Sequence, residues 1–160
     1  MSGSLSAPSP QTLDRAGIAL RIPHAGRMCL LDRLLSWTPD GLCCQLADAS
    51  DPQHPMRTDS GLMAPTAIEC AAQAMALHAS LCAGDGTPPT PGFLASARGV
   101  QLHVHRLDQS PGPLRVRAQL QSGSTQQALY TFSVVDAHDT PLVEGRATVV
   151  LNQPLQVPNA

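Results

Sequence analysis

The chain has 160 residues, 42% hydrophobic and 14% charged, with a net charge of -2. That length suits one domain with a core of its own, and the composition is not that of a disordered chain. The charge balance excludes the basic field that holds a nucleic-acid backbone. With one Trp, one Tyr and two Phe, the core must be built from Leu, Val, Ala and Met. Five Cys without CxxC spacing read as reduced thiols in a cytoplasmic protein, neither a disulfide framework nor a zinc site. The first ten residues, MSGSLSAPSP, lack the basic start and apolar stretch of a secretory signal. No apolar run approaches the roughly 20 residues that span a bilayer, so no membrane partner is expected.

In chain order, residues 1–17 are rich in Ser, Pro and Gly and are expected to be disordered, with order starting near Ile18. The segment from Ile22 to Trp37 reads as a helical turn followed by a first strand. A turn at Thr38-Pro39-Asp40-Gly41 leads into a second strand over Leu42–Ala47. A polar loop, Asp48–Ser60, carries His54. Residues 63–83, MAPTAIECAAQAMALHASLCA, have strong helix propensity and small or apolar residues on nearly every face. A solvated helix would show a charged stripe, whereas this one holds a single acid, Glu69, so it is expected to be buried. After a Gly/Pro-rich loop, strands are expected over Phe93–Leu107, Leu114–Leu120, Ala128–Val135 and Leu142–Leu151, with residues 152–160 as a tail. Short connections among the last strands imply antiparallel pairing, giving an α+β domain over residues 18–151.

Several segments together carry a resemblance. They are Ile22-Pro23-His24-Ala25-Gly26-Arg27-Met28 with Leu30-Leu31-Asp32-Arg33, then His54-Pro55-Met56-Arg57 ahead of Gly61-Leu62. The helix text Ile68-Glu69-Cys70-Ala71-Ala72-Gln73-Ala74 follows, and later Pro111-Gly112-Pro113-Leu114 and Glu144-Gly145-Arg146-Ala147. In these the chain resembles the hot-dog-fold β-hydroxyacyl-acyl-carrier-protein dehydratases, most closely the branch associated with aryl-polyene-type pigments. The resemblance implies a long central helix wrapped by an antiparallel sheet. It also implies a site completed across a dimer, either of one chain or with another hot-dog subunit. The substrate would arrive as an acyl-carrier-protein or coenzyme A thioester on a phosphopantetheine arm, with no cofactor of the protein's own.

Removing water from a β-hydroxyacyl thioester needs a base for the α-proton and an acid for the departing hydroxyl. By resemblance, His54 is the base, since neutral imidazole suits that role near pH 6.5. Glu69 is the acid, because an apolar helix would disfavour its charged form. Substrate contacts fall to His24, Arg57 and Gln73, the last also standing four residues from Glu69 as its support. Backbone N–H groups at the start of the helix would polarise the thioester carbonyl. Two alternatives remain in function: a hot-dog thioesterase, or a non-catalytic subunit that stabilises an active partner. Glu69 also has a plain rival reading, because Thr66-Ala67-Ile68-Glu69 matches a capping box. His103 and His105 share a strand face at period two and would permit a metal, though no third ligand is adjacent. His78 reads as a satisfied helix histidine. Arg98, Arg106, Arg115 and Arg117 are either solvated or turned toward an acidic carrier.

Overall fold

The structure, a computed structural model, describes residues 12–23, 26–84 and 92–151. A seven-stranded, wholly antiparallel sheet holds the order β1-β2-β3-β5-β6-β7-β4. Its strands are β1 (Leu13–Asp14), β2 (Leu31–Thr38), β3 (Gly41–Leu46), β4 (Gly92–Leu102), β5 (Arg115–Gly123), β6 (Gln127–Val135) and β7 (Pro141–Leu151). A short helix α1 (Arg15–Ala19) and a 3-10 turn (Gly26–Met28) precede β2, and the long helix α2 (Thr66–Ala83) lies between β3 and β4. The expected α+β hot-dog arrangement is present.

Alternation on the strands decides which face meets the helix. On β3, Leu42, Cys44 and Leu46 are buried while Cys43 and Gln45 are half-buried on the other face. On β5, Val116 and Ala118 turn inward and Arg115, Arg117 and Gln119 outward. Ala128, Tyr130, Phe132 and Val134 do the same on β6. These inward rows and the buried residues of α2 form one hydrophobic core. Each fully buried Leu contributes about 2 kcal/mol by removal from water. Gly41 is required where β2 turns into β3, because a Cβ there would stand 2.5 Å from the Ala118 carbonyl oxygen. Among the described residues no helix is long and apolar enough to cross a membrane.

Three expectations change. Order begins before Ile18: Asp14 caps α1 by accepting from the Gly17 N–H at 2.8 Å, and β1 pairs with β2. The first strand of the second half ends at Leu102, so Leu107 lies beyond it. Finally, α2 starts at Thr66 rather than residue 63, and it is not buried all round. Ile68, Glu69, Ala72, Ala76 and Ala79 form a half-exposed stripe. The expectations for residues 1–11 and 152–160 lie outside the described residues.

His78 is buried on α2 and satisfied on both ring nitrogens. A carbonyl can only accept, so Nε2 donates to Thr38 O (2.8 Å) and Nδ1 accepts from the Tyr130 hydroxyl (2.8 Å). Burial pushes the imidazole below its ordinary value, and the hydrogen bond to Thr38 only partly opposes this. Above about pH 6.5 neither folded nor unfolded state carries the proton, and stability is full. As pH falls through that value the unfolded chain gains a proton that the fold refuses, so stability is lost. Urea denaturation should show that loss between pH 7 and pH 5; a flat profile would mean His78 is charged in the fold. Tyr130→Phe should cost about 1–3 kcal/mol at pH 7.5 by stranding Nδ1.

Candidate active site

The helix places Glu69 and Gln73 on one face, a turn apart. Gln73 is 0% exposed. Its Oε1 accepts from the Leu30 N–H at 2.8 Å, and its Nε2 donates to Met28 O at 2.8 Å and to Glu69 Oε1 at 3.3 Å. The amide is fully used inside the protein. Gln73 was expected among the substrate contacts; the structure sets it behind Glu69, where it positions the carboxyl and joins the helix to the start of β2. Glu69 itself is half-buried on the open stripe of α2, so the apolar cylinder expected around it is open on one side in the single chain.

The start of α2 overturns two readings. The N-cap is Pro65, with no side-chain capping bond, and Thr66 is already inside the helix. No capping box forms there, so Glu69 does not owe its place to one. The N–H groups of Thr66, Ala67 and Ile68 donate to the carbonyls of Met63, Ala64 and Pro65 at 3.0–3.1 Å. They are spent on the chain's own backbone and are not open for a thioester oxygen.

His54 belongs to a loop pinned by its own side chains. Asp48 Oδ1 accepts from the Ser50 N–H and hydroxyl, and Asp51 Oδ1 from the Gln53 N–H. Arg27 donates to Gln53 O at 2.8 Å. The His54 N–H donates to Asp51 O and its carbonyl accepts from Arg57 N–H, closing successive turns. The residue is 7% exposed, and its Nδ1 accepts from the Met56 N–H at 3.2 Å. Burial holds the imidazole below its ordinary value; Asp51 and Asp48 oppose that, while Arg15 and Arg57 reinforce it.

Arg57 continues the loop into a cluster that sequence reading missed. Asp108, beyond β4, accepts from Arg106 Nε (3.1 Å) and Nη2 (2.6 Å) and from the Leu62 N–H (3.2 Å). The bond from Arg106, above all, draws the Asp108 carboxyl down to about 2. Arg57 Nη1 stands 3.6 Å from Asp108 Oδ2, an ion-pair distance too long for a hydrogen bond. That nitrogen is sealed from solvent and has no hydrogen-bond partner. Gly61 has φ +107, and a Cβ there would lie 2.5 Å from the Arg106 guanidinium. Backbone bonds between Ala64 and His105 and between Leu107 and Leu62 complete the seam. The only hint in the sequence was the spacing Arg106-Leu107-Asp108 beside a glycine forty-odd residues away, and no periodicity links the two.

His24 lies outside the described residues. His103 pairs with Glu144 at 2.9 Å, and no group of three metal-ligating side chains occurs among the described residues. Arg115 and Arg117 both bind Asp139, so these two, like Arg106, have acids within the chain.

The family model ApeP-like, described as ApeP dehydratase, matches residues 17–158. The chain belongs to the ApeP-like dehydratase family. Among solved structures, the dehydratase heterocomplex ApeI:P from Xenorhabdus doucetiae superposes with TM-score 0.76 at 21% identity, covering 85% of this chain and 91% of that one. Thioesterase HI1161 from Haemophilus influenzae gives TM-score 0.63 at 12% identity, covering 93% and 97%. An HP0420 homologue from Helicobacter felis gives 0.62 at 12% identity, covering 89% and 92%. At such identities the structural matches establish the hot-dog fold. No curated protein matches the sequence.

Because Gln73 supplies partners to two backbone groups of the 28–30 segment, Gln73→Leu should strand the buried Leu30 N–H. A loss of about 1–3 kcal/mol or more is expected in urea denaturation. A loss below about 0.5 kcal/mol would show that the amide is dispensable for the fold.

Proposed function

We propose that this chain serves in a dehydratase that converts a β-hydroxyacyl thioester, carried on an acyl carrier protein, into the trans-2-enoyl thioester. The observation that carries the reading is Glu69, held by a buried amide on the open stripe of the central helix, in a chain of a dehydratase family. His54 is the second polar group of the site. Arg57, whose side chain is partly exposed beside Asp108, supplies a cation for an anionic part of the carrier arm. Elimination needs no redox carrier, so no cofactor beyond the substrate's phosphopantetheine is invoked.

A second hot-dog subunit completes the site in this reading. Two features support a partner. The half-exposed stripe Ile68, Ala72, Ala76 along α2 would otherwise face water. The edge strand β4 pairs only with β7 and leaves Phe93 and Leu94 each 40% exposed and Leu102 49% exposed. An open apolar edge is normally paired or covered. The partner is a second copy or a different hot-dog chain; the heterocomplex named for the Xenorhabdus relative favours the latter. That same observation supports a second reading, in which this chain stabilises an active partner without catalysing. The thioesterase among the fold neighbours keeps hydrolysis as the competing chemistry.

The test uses a β-hydroxyacyl carrier-protein substrate and mass spectrometry, with the chain alone and with its hot-dog partner. Loss of water supports dehydration, and release of free acid supports hydrolysis. Glu69→Gln should fold normally and lower turnover about 10²-fold or more, the usual scale for proton-transfer groups. Full turnover by a Glu69→Gln complex would assign catalysis to the partner. Light scattering should show a pair of subunits at micromolar concentration, and a monomer in both settings would remove the shared site.

A further inference from the structure

The free edge of the sheet is β4, which pairs with β7 on one side only. That pairing is broken twice, each time by an extra residue on β4. One break lies between Leu94 and Ser96, the other between Arg98 and Gln101, where Gly99 takes φ +58. Between them Ser96, Ala97 and Arg98 run in regular register with Thr148, Ala147 and Arg146. Ala147 is buried in the core, so Arg146 and the opposing Arg98 lie on the face of the sheet away from α2. Both arginines are exposed, and neither has an ion pair or side-chain hydrogen bond among the described residues, unlike Arg106, Arg115 and Arg117. The acid two residues before Arg146, Glu144, is taken by His103 at 2.9 Å. A Cβ on Gly99 would stand 3.9 Å from Arg146 Nη2, so that guanidinium reaches across to the edge strand. Like charges directly opposite on neighbouring strands are destabilising. Here they sit at the centre of an edge whose ends are apolar, with Phe93 and Leu94 at one end and Leu102 at the other.

A second copy fits this edge badly. Antiparallel two-fold pairing centred on Ala97, the middle of β4 and of its regular run, sets Arg98 opposite Ser96 of the copy. The two Arg98 residues then share one face as diagonal neighbours, about 7–8 Å apart, with an Arg146 behind each. Four cations without an acid meet at the centre of such an interface. We propose that β4 receives a different chain, whose edge strand carries Asp or Glu where it crosses Arg98 and Arg146, and that these arginines turn away a second copy. This rests on the shared-site reading and names its partner by charge. Complementary charges steer and register a pair of chains, and like charges suppress the wrong pair. The apolar ends offer area to either partner, and the arginines decide between them.

The probe for an acidic partner is this chain carrying Arg98→Glu and Arg146→Glu, both at exposed positions, with its fold checked by circular dichroism. Analytical ultracentrifugation compares the full-length parent, the variant and their equimolar mixture. At low salt the mixture should pair at least about tenfold more tightly than either chain alone. Raising the salt to about 0.5 M, where screening acts within a few ångströms, should remove most of that preference. A parent that pairs with itself as tightly as the mixture overturns the proposal. Three samples that all stay monomeric overturn it too, because the arginines and bulges would then only blunt the edge. If the Glu variant fails to fold, Arg98→Gln with Arg146→Gln carries the test: it should self-pair about tenfold more tightly than the parent, and unchanged self-association overturns the proposal. The two readings fail separately. A natural two-chain assembly that does not dehydrate defeats the proposed function, whereas pairing indifferent to these charges defeats only the choice of partner.

Discussion

Where the chain leaves the Gly26–Met28 turn and has not yet joined the sheet, its backbone lacks ladder partners, and the amide of Gln73 supplies them. A buried polar group must find its hydrogen bonds inside the protein, and Gln73 finds them on Leu30, Met28 and Glu69. One side chain thereby indexes the central helix to the first long strand and fixes the candidate carboxyl to both. If α2 rotated or slid by a residue, Gln73 would lose its bonds to Leu30 and Met28 and Glu69 would leave the open stripe. The position of the site is thus tied to a contact that also holds the core together.

The second constraint is the seam between the approach to α2 and the chain beyond β4. Topology forces these two segments together, because β4 sits at the far edge of the sheet while β5 returns beside β3. Leu62, Met63 and Ala64 pair with residues 105–107, and Asp108 draws Arg106 and Arg57 onto the same seam. The His54 loop is consequently held at one end by Arg27 and at the other by Arg57. A polar residue needs such support from its neighbours if it is to present one atom in one place.

Strand alternation and helix propensity made most of this architecture legible. The alternation of Leu114, Val116 and Ala118 with Arg115 and Arg117, and the Ala-rich run after Thr66, are local signals that tertiary contacts reinforced. The helix start was misplaced because Pro65 and the small residues before it are compatible with a helix, yet Met63 and Ala64 pair with the 105–106 segment instead. The stripe through Ile68 and Ala72 was misread as buried because composition reports which residues avoid water and not what covers them. Of the candidate site, the hydrogen bond between Glu69 and Gln73 followed from their spacing. The Asp108 cluster did not, since a bond from Leu62 N–H to Asp108 depends on a chain crossing that no window of sequence contains.

Histidines 54 and 78 show why residue type alone cannot assign chemistry. Burial keeps both below the ordinary imidazole value, and in both the neighbours select the tautomer. At His78 the Thr38 carbonyl demands Nε2–H and the Tyr130 hydroxyl fills Nδ1, so nothing is left over and the ring only braces helix against sheet. At His54 a single backbone N–H fills Nδ1 and leaves Nε2–H unspent. The same ring, in the same protonation state, is structural where both nitrogens are matched and available for recognition where one is not. What separates the two is the direction of one backbone N–H, set by the tight turn through Pro55 and Met56. That turn fixes which ring nitrogen of His54 is left for a partner.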